Sequence, residues 1–135
     1  MDTNVFIGAL LSASGENRAV LRACLQGKVL PLMGVALFHE YEDVMGREDL
    51  MRKCPISPKD RRVLFEALLS VSEWVRVYYL WRPNLPDEGD NHLVELAIAG
   101  GARFIVTRNV RDIGRGELTF PELRAVTPRE FLNTI

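Results

Sequence analysis

Residues 86–112, PDEGDNHLVELAIAGGARFIVTRNVRD, carry the clearest structural signals in this chain of 135 residues. After Asp90, apolar side chains recur at the spacing of a largely buried helix, at Leu93, Leu96 and Ala97. The pair Gly100 and Gly101 is expected to end this helix, because glycine adopts the left-handed cap conformation at little cost. The segment therefore predicts a helix that begins near Asp90.

An uninterrupted apolar run, Phe104–Val106, follows the two glycines. Such a run is typical of a strand buried on both faces of a parallel sheet. Thr107, Arg108, Asn109 and Asp112 come after it, and in open α/β sheets functional residues gather beyond the carboxyl ends of the strands. Asp90, Asn109 and Asp112 are therefore expected to lie close together.

The rest of the chain alternates helical patterns with short apolar runs. Helices are predicted at 16–26, 36–45, 58–71 and from Pro128, and strands at 29–33, 74–81 and 123–126. The apolar run at 5–11 predicts the end of a short strand that turns into a first helix. This alternation indicates an α/β sandwich with a mainly parallel sheet, in a single domain that spans residues 1–135.

Composition gives few functional clues. The chain is 47% hydrophobic and 26% charged, and has no apolar run of the roughly 18 residues that a membrane helix needs. It shows no signal peptide pattern, and Cys24 and Cys54 are expected to be reduced thiols of a cytoplasmic protein. A net charge of −1 gives no global sign of nucleic-acid binding, so such binding would have to be local or depend on metal ions.

Acidic and amide residues recur at predicted strand ends and helix starts: Asp2, Asn4, Glu40, Asp87, Asp90, Asn109 and Asp112. Several carboxylates at one point require cations, and oxygen ligands suit Mg²⁺ or Mn²⁺. Such a metal activates water for attack on phosphorus. The sequence contains no competing Ser-His-Asp arrangement and no zinc-type Cys/His spacing.

Each candidate also has an ordinary structural explanation. Asp2 could equally be a helix cap or a disordered terminal residue, and Glu40 could be a solvated helix residue. Asp90 could be a helix cap, and Asp112 could be a turn residue. The remaining candidates are read as surface or interface histidines (His39, His92), core or interface aromatics (Trp74, Trp81) and a basic loop face that could instead position phosphates (Arg103, Arg108, Arg111, Arg115).

Four motifs in order resemble the PIN domain family, most closely its VapC-like branch, the toxin components of bacterial toxin–antitoxin systems. They are DTNVFIGALLS at 2–12, ALFHEYEDVMGR at 36–47, DEGDNHLVELAIAGGARFIVTRNVRD at 87–112 and VTPREFL at 126–132. The resemblance implies a three-layer α/β/α sandwich around a parallel sheet. It also implies a Mg²⁺- or Mn²⁺-dependent ribonuclease.

The resemblance extends to individual positions. The family's acidic residues fall on Asp2, on Glu40 (with Glu42 in a less favoured register) and on Asp90, with Asp87 just upstream. Its last position falls on Asn109, followed by Asp112. Asn4 and Thr107 match residues that support the site through hydrogen bonds, and Arg108 and Arg111 are candidate phosphate contacts. In such proteins metal-bound water attacks RNA, a protein antitoxin covers the site, and homodimers are common.

Two departures keep other functions open. Only Met1 precedes the first acid, so either the start lies upstream or the first strand is curtailed, and Asn109 stands where many relatives have a carboxylate. These departures motivate a weak or inactive module that binds RNA or a protein partner. A third hypothesis is an RNA-processing nuclease without an antitoxin.

Overall fold

The computed structural model describes residues 1–12, 15–77, 91–111 and 122–135. Its helices are α1 (Thr3–Leu11), α2 (Glu16–Leu25), α3 (Val35–Met45), α4 (Glu48–Met51), α5 (Pro58–Val71), α6 (Asn91–Gly100) and α7 (Pro128–Leu132). Its strands are β1 (Leu32–Met33), β2 (Glu73–Trp74), β3 (Phe104–Val106) and β4 (Arg124–Val126). No helix in these ranges combines the length and apolar character needed to cross a membrane.

The strands pair in parallel, β1 with β2 and β3 with β4. This pairing confirms the predicted α/β class with parallel strands. Within the described ranges the strands form two separate two-stranded sheets. The single central sheet of a three-layer sandwich, and the extent of the domain over 1–135, therefore stay predictions.

The central segment folds as its sequence predicts. Helix α6 runs to Gly100, and Gly101 follows with φ +67°, the left-handed conformation expected of a glycine cap. The next apolar run forms β3, in which Ile105 and Val106 are buried. Asp90 and Asp112 lie outside the described residues.

Three predicted strands differ from the structure. The run at 5–11 is wholly helical, because α1 begins at Thr3. The predicted strand at 29–33 is reduced to β1, preceded by Pro31, which has no N–H but accepts a 2.9 Å hydrogen bond from Glu73 N. The predicted strand at 74–81 is represented by β2, and residues 78–81 lie outside the described ranges.

Helix α1 is buried on more than one side, and this burial fixes the position of the helix and of the residues that precede it. One side contributes Phe6 to the main core, where its ring stacks on Tyr41 at 4.3 Å between centroids and lies 5.9 Å from Phe65. Another contributes Val5 to a second cluster with Val20, Val106, Val126 and Phe131. The start of the chain is thus anchored between α3 and β3.

Cys24 is buried in the core, and both cysteines are free thiols. Burial raises the pKa of the Cys24 thiol, because the thiolate would lose its hydration there. A raised thiol pKa indicates a packing role for this side chain rather than a reactive one.

Candidate metal centre at the start of the chain

Asp2 directly precedes α1, and only 4% of it is exposed to solvent. Its side chain makes no capping hydrogen bond to the helix. Instead, Asp2 Oδ2 accepts a 2.6 Å hydrogen bond from Thr107 Oγ1, and the backbone N–H of Asp2 donates to Val106 O at 2.8 Å. Asp2 is therefore an ordered residue, and its carboxylate is held against the end of β3 rather than used as a helix cap.

Thr107 links this carboxylate to the turn after β3. Its side chain is fully buried, and Oγ1 accepts a 3.0 Å hydrogen bond from the backbone N–H of Asn109 while donating its own proton to Asp2. Its backbone N–H donates to Val126 O at 2.9 Å. The hydroxyl has a single proton, so the bond from Asn109 N–H leaves that proton directed at Asp2.

Glu40 lies on α3 and is partly exposed. Its Oε1 accepts a hydrogen bond from the hydroxyl of Thr3, and its Oε2 lies 2.8 Å from His92 Nε2. The hydrogen bond from His92 holds the pKa of Glu40 below its ordinary value, against partial desolvation, and the bond from Thr3 adds to this effect. Glu40 is thus a constrained carboxylate rather than a freely solvated one.

Asp2 and Glu40 are linked through two consecutive residues at the start of α1, Asp2 itself and Thr3. Asp2 is bound by Thr107, and the next residue, Thr3, donates to Glu40. The end of β3, the first turn of α1 and the middle of α3 therefore meet at this point. The structure brings together two of the four predicted acidic residues.

His92 is a part of this arrangement that the sequence interpretation missed. It was interpreted as a surface or interface histidine, but its side chain is only 19% exposed and contacts Glu40. Its Nδ1 is buried and has no hydrogen-bond partner among the described residues. The available signal was its position in the first turn of α6, two residues after the predicted acid Asp90.

The other predicted residues are placed differently or lie outside the described ranges. Asn4 and Asn109 are exposed, and Asn109 meets Thr107 through its backbone N–H. Arg108 is exposed and donates to Asn17 Oδ1 at 3.1 Å, and Arg111 is exposed. The residues outside the described ranges are Asp87, Asp90, Asp112, Arg115 and Trp81.

The described carboxylates suit a divalent cation. No Lys or Arg in the described ranges forms an ion pair with Asp2, so this buried carboxylate has no countercharge from a basic side chain there. A buried charge without a partner is unfavourable, and Mg²⁺ is commonly bound through one or two carboxylates. Within the described residues, however, no three His, Cys, Asp or Glu side chains form a group that could hold a metal. A complete ligand set would need acids from outside those ranges.

A sequence model of a protein family, described as PIN domain, matches residues 1–111, which include every described residue of the candidate centre. No curated protein and no solved structure matches the chain.

Proposed function

This chain belongs to the PIN domain family, whose members are generally nucleases, and on that basis we propose that it is a metal-dependent endoribonuclease. The observation that carries the proposal is the buried carboxylate of Asp2, held by Thr107 without a basic partner in the described ranges. In this proposal Asp2, Glu40, Asp90 and Asp112 hold Mg²⁺ or Mn²⁺, with Asn109 contributing its amide oxygen.

The metal would activate water for attack on the RNA phosphodiester and stabilise charge on the leaving oxygen. The protein side chains hold the carboxylates for that purpose. Thr107 orients Asp2, and Thr3 and His92 orient Glu40 from two directions. Such supporting hydrogen bonds fix the direction of the ligand oxygens and typically affect metal affinity by about 10–100-fold.

Arg108 and Arg111 are proposed to contact phosphates of the RNA. Both are exposed and lie one and four residues after Thr107, whose hydroxyl binds the Asp2 carboxylate. The Asn17 side chain holds one guanidinium nitrogen of Arg108 at 3.1 Å, which limits where the guanidinium can lie. Because the net charge is only −1, RNA affinity would depend on such local contacts.

We further propose that the protein is the toxin of a toxin–antitoxin pair. It would act on RNA in the cytoplasm as a homodimer, with a cognate protein antitoxin that covers the site. This part of the proposal rests on the likeness of the four motifs to VapC-like proteins. Asn4, Thr107 and Asp87 would support the metal ligands.

The direct test measures Mn²⁺ binding by calorimetry and cleavage of RNA, on antitoxin-free protein and on Asp2→Asn and Asp90→Asn. Exposed Asp43, ion-paired with Arg47 on α3, provides the matched control Asp43→Asn. We expect both site variants to lose metal binding and cleavage while the control keeps them. EDTA should abolish cleavage by the unmodified protein. Full cleavage by Asp90→Asn would contradict the proposed ligand set.

A second candidate function is a PIN-fold module that binds RNA or a protein partner without cleaving. It is favoured by Asn109 at a position that many relatives fill with a carboxylate. It predicts RNA binding that is unchanged by EDTA, with no turnover at any Mn²⁺ concentration. Metal-dependent cleavage would exclude it.

A further inference from the structure

A polar cleft of about 410 Å³ lies where strands β3 and β4 end. We call it the arginine cleft. It is lined by Arg108 after β3, by Thr127, Pro128 and Arg129 after β4, and by Glu16 at the start of α2. Arg129 belongs to the motif VTPREFL, to which the proposed function gives no role.

The cleft and the candidate metal centre lie at the same edge of this strand pair. Strands β3 and β4 are parallel, with Val106 opposite Val126, so the residues that follow them leave the pair at one edge. Thr107 leaves β3 there and binds the carboxylate of Asp2, and Arg108 is the next residue. In open α/β sheets ligands bind beyond this end of the strands. A chain-like ligand at the metal centre would therefore pass close to the cleft.

Two consecutive residues of α2 hold the two arginines. Glu16 Oε1 accepts a 2.8 Å hydrogen bond from Arg129 Nε, and Asn17 Oδ1 accepts one of 3.1 Å from Arg108 Nη1. Among the described residues, these are the only hydrogen bonds that the two guanidiniums make. A guanidinium carries five N–H groups, so most of the donors in the cleft are left to a ligand.

Asn17 is itself fixed by α1. A Cβ atom on Gly8 would clash with Nδ2 of Asn17, so the amide lies against α1 where the glycine leaves room for it. The position of the Arg108 guanidinium therefore follows from the packing of α2 on α1.

Stabilisation of the fold does not account for the second arginine. The side chains of Arg129 and Glu16 are 77% and 40% exposed. An ion pair as exposed as this contributes little to stability, because water screens the charges. The pair therefore orients Arg129 more than it stabilises the protein.

The chemistry of the lining favours a phosphate. Two guanidiniums face one carboxylate, so the side chains of the cleft carry a net positive charge although the whole chain carries −1. The Thr127 hydroxyl is used in capping α7, where it bonds to Glu130 Oε1 at 3.0 Å, and Pro128 has no N–H. The arginines are thus the main donors, and the guanidinium fork matches the oxygens of a phosphate.

We propose that the arginine cleft binds a phosphate of the RNA backbone beside the one that is cleaved, and that Arg129 is an RNA-binding residue. The proposal rests on the proposed function for its choice of RNA as the source of the phosphate. RNA is preferred to free phosphate because the cleft lies at the edge where Asp2 is held, so that one RNA strand can occupy both places. Arg108 would then contact the RNA together with Arg129.

The test measures binding of a labelled single-stranded RNA of about 12 nucleotides by fluorescence anisotropy. EDTA is present throughout, so the metal centre does not contribute. Arg129→Gln is compared with the unmodified protein and with Arg62→Gln, a control that makes the same charge change on α5, where Arg62 pairs with Glu66. Because Arg129 is 77% exposed, its replacement should leave the melting temperature unchanged.

We expect Arg129→Gln to weaken RNA binding by about tenfold at low salt. The slope of log affinity against log salt concentration should become shallower by about 0.7, the value for one lost phosphate contact on a single strand. The control variant should keep the affinity and the slope of the unmodified protein.

Equal effects of Arg129→Gln and Arg62→Gln would overturn the proposal, because only net charge would then matter. Absence of RNA binding by the unmodified protein in EDTA would overturn it as well. If inorganic phosphate displaced the RNA at the same concentration of phosphate groups, the cleft would be a site for free phosphate and the choice of RNA would be wrong. Failure of the proposed function is distinguishable, because it would abolish Mn²⁺ binding and cleavage while RNA binding in EDTA persisted.

Discussion

Asp2 and Thr107, 105 positions apart in the sequence, are both buried and are joined by a 2.6 Å hydrogen bond from hydroxyl to carboxylate. A hydrogen bond to a charged group is stronger than one between neutral groups, and leaving a buried carboxylate without it is unfavourable. The contact therefore stabilises the fold and at the same time sets the direction in which Oδ1 of Asp2 is presented.

Removal of this hydroxyl should weaken both stability and metal binding. We expect Thr107→Val, which keeps the side-chain volume, to lower the free energy of unfolding by about 1–3 kcal/mol and Mn²⁺ affinity by about 10–100-fold. Urea unfolding and calorimetry measure the two effects. Thr107→Ser keeps the hydroxyl and should retain most of the metal affinity. Equal Mn²⁺ affinity in the valine variant and the unmodified protein would show that Thr107 does not support a metal ligand.

His92 should support metal binding through Glu40. Because its Nε2 lies 2.8 Å from Glu40 Oε2, His92→Ala would free one side of the carboxylate, and we expect Mn²⁺ affinity to fall by about tenfold or more. His39 is exposed on the same helix as Glu40 and gives the matched control, His39→Ala, which should bind as the unmodified protein does. Equal losses in both variants would argue for a general effect on folding.

Glu40 should make stability depend on pH in the acidic range. Its pKa is lower in the folded protein, so its contribution is fully present above the ordinary glutamate pKa of about 4.3 and is lost as pH falls through the lowered value. We therefore compare the free energy of unfolding of the unmodified protein with that of Glu40→Gln. The difference between the two should become smaller as the pH falls from about 6 to about 3, the range over which a carboxylate usually loses such a contribution. Exposed Glu66, paired with Arg62 at 3.4 Å, provides Glu66→Gln as the control, with a smaller dependence. A difference for Glu40→Gln that does not change with pH would contradict the hydrogen-bond origin of the shift.

Tyr41 should hold the start of the chain through its hydroxyl. The side chain is 1% exposed, and its O–H donates to the C=O of Met1. Burial raises the pKa of Tyr41 well above its ordinary value, so the donor stays protonated at any physiological pH. We expect Tyr41→Phe to lower the free energy of unfolding by about 1–2 kcal/mol, measured in urea.

The control for this variant removes an exposed hydroxyl. Ser70 Oγ donates to Ala67 O on the surface of α5, and Ser70→Ala should change stability by less than about 0.5 kcal/mol. A loss in Tyr41→Phe no larger than that of the control would mean that the Met1 carbonyl finds another donor.

Local patterns predicted the helices of this fold better than its strands. The spacing of Leu93, Leu96 and Ala97 and the glycine that follows were enough to define α6, because helix periodicity and capping are properties of neighbouring residues. The run at 5–11 was wrongly given a strand, since short apolar runs suit both structures and long-range packing of α1 decides between them. Strand length at 29–33 was also overestimated, because pairing depends on a distant partner, β2.

The candidate site divides in the same way. The hydrogen bond from Thr107 to Asp2 joins two residues that the resemblance to a known family assigned to the site, and their role in that site stays a prediction. The contact of His92 with Glu40 was missed, because it depends on how α6 and α3 pack, and a single histidine in a helical turn carries no sign of its partner. The positions of Asp90 and Asp112 stay predictions.

The distance along the chain between Thr107 and Asp2 also has a consequence for synthesis on the ribosome. Asp2 is synthesised more than a hundred residues before the strand end that orients it. A nascent chain that has not yet reached Thr107 therefore lacks the hydroxyl that orients the Asp2 carboxylate. The arrangement around Asp2 can therefore form only after β3 and Thr107 have emerged from the ribosome, whatever function this carboxylate serves.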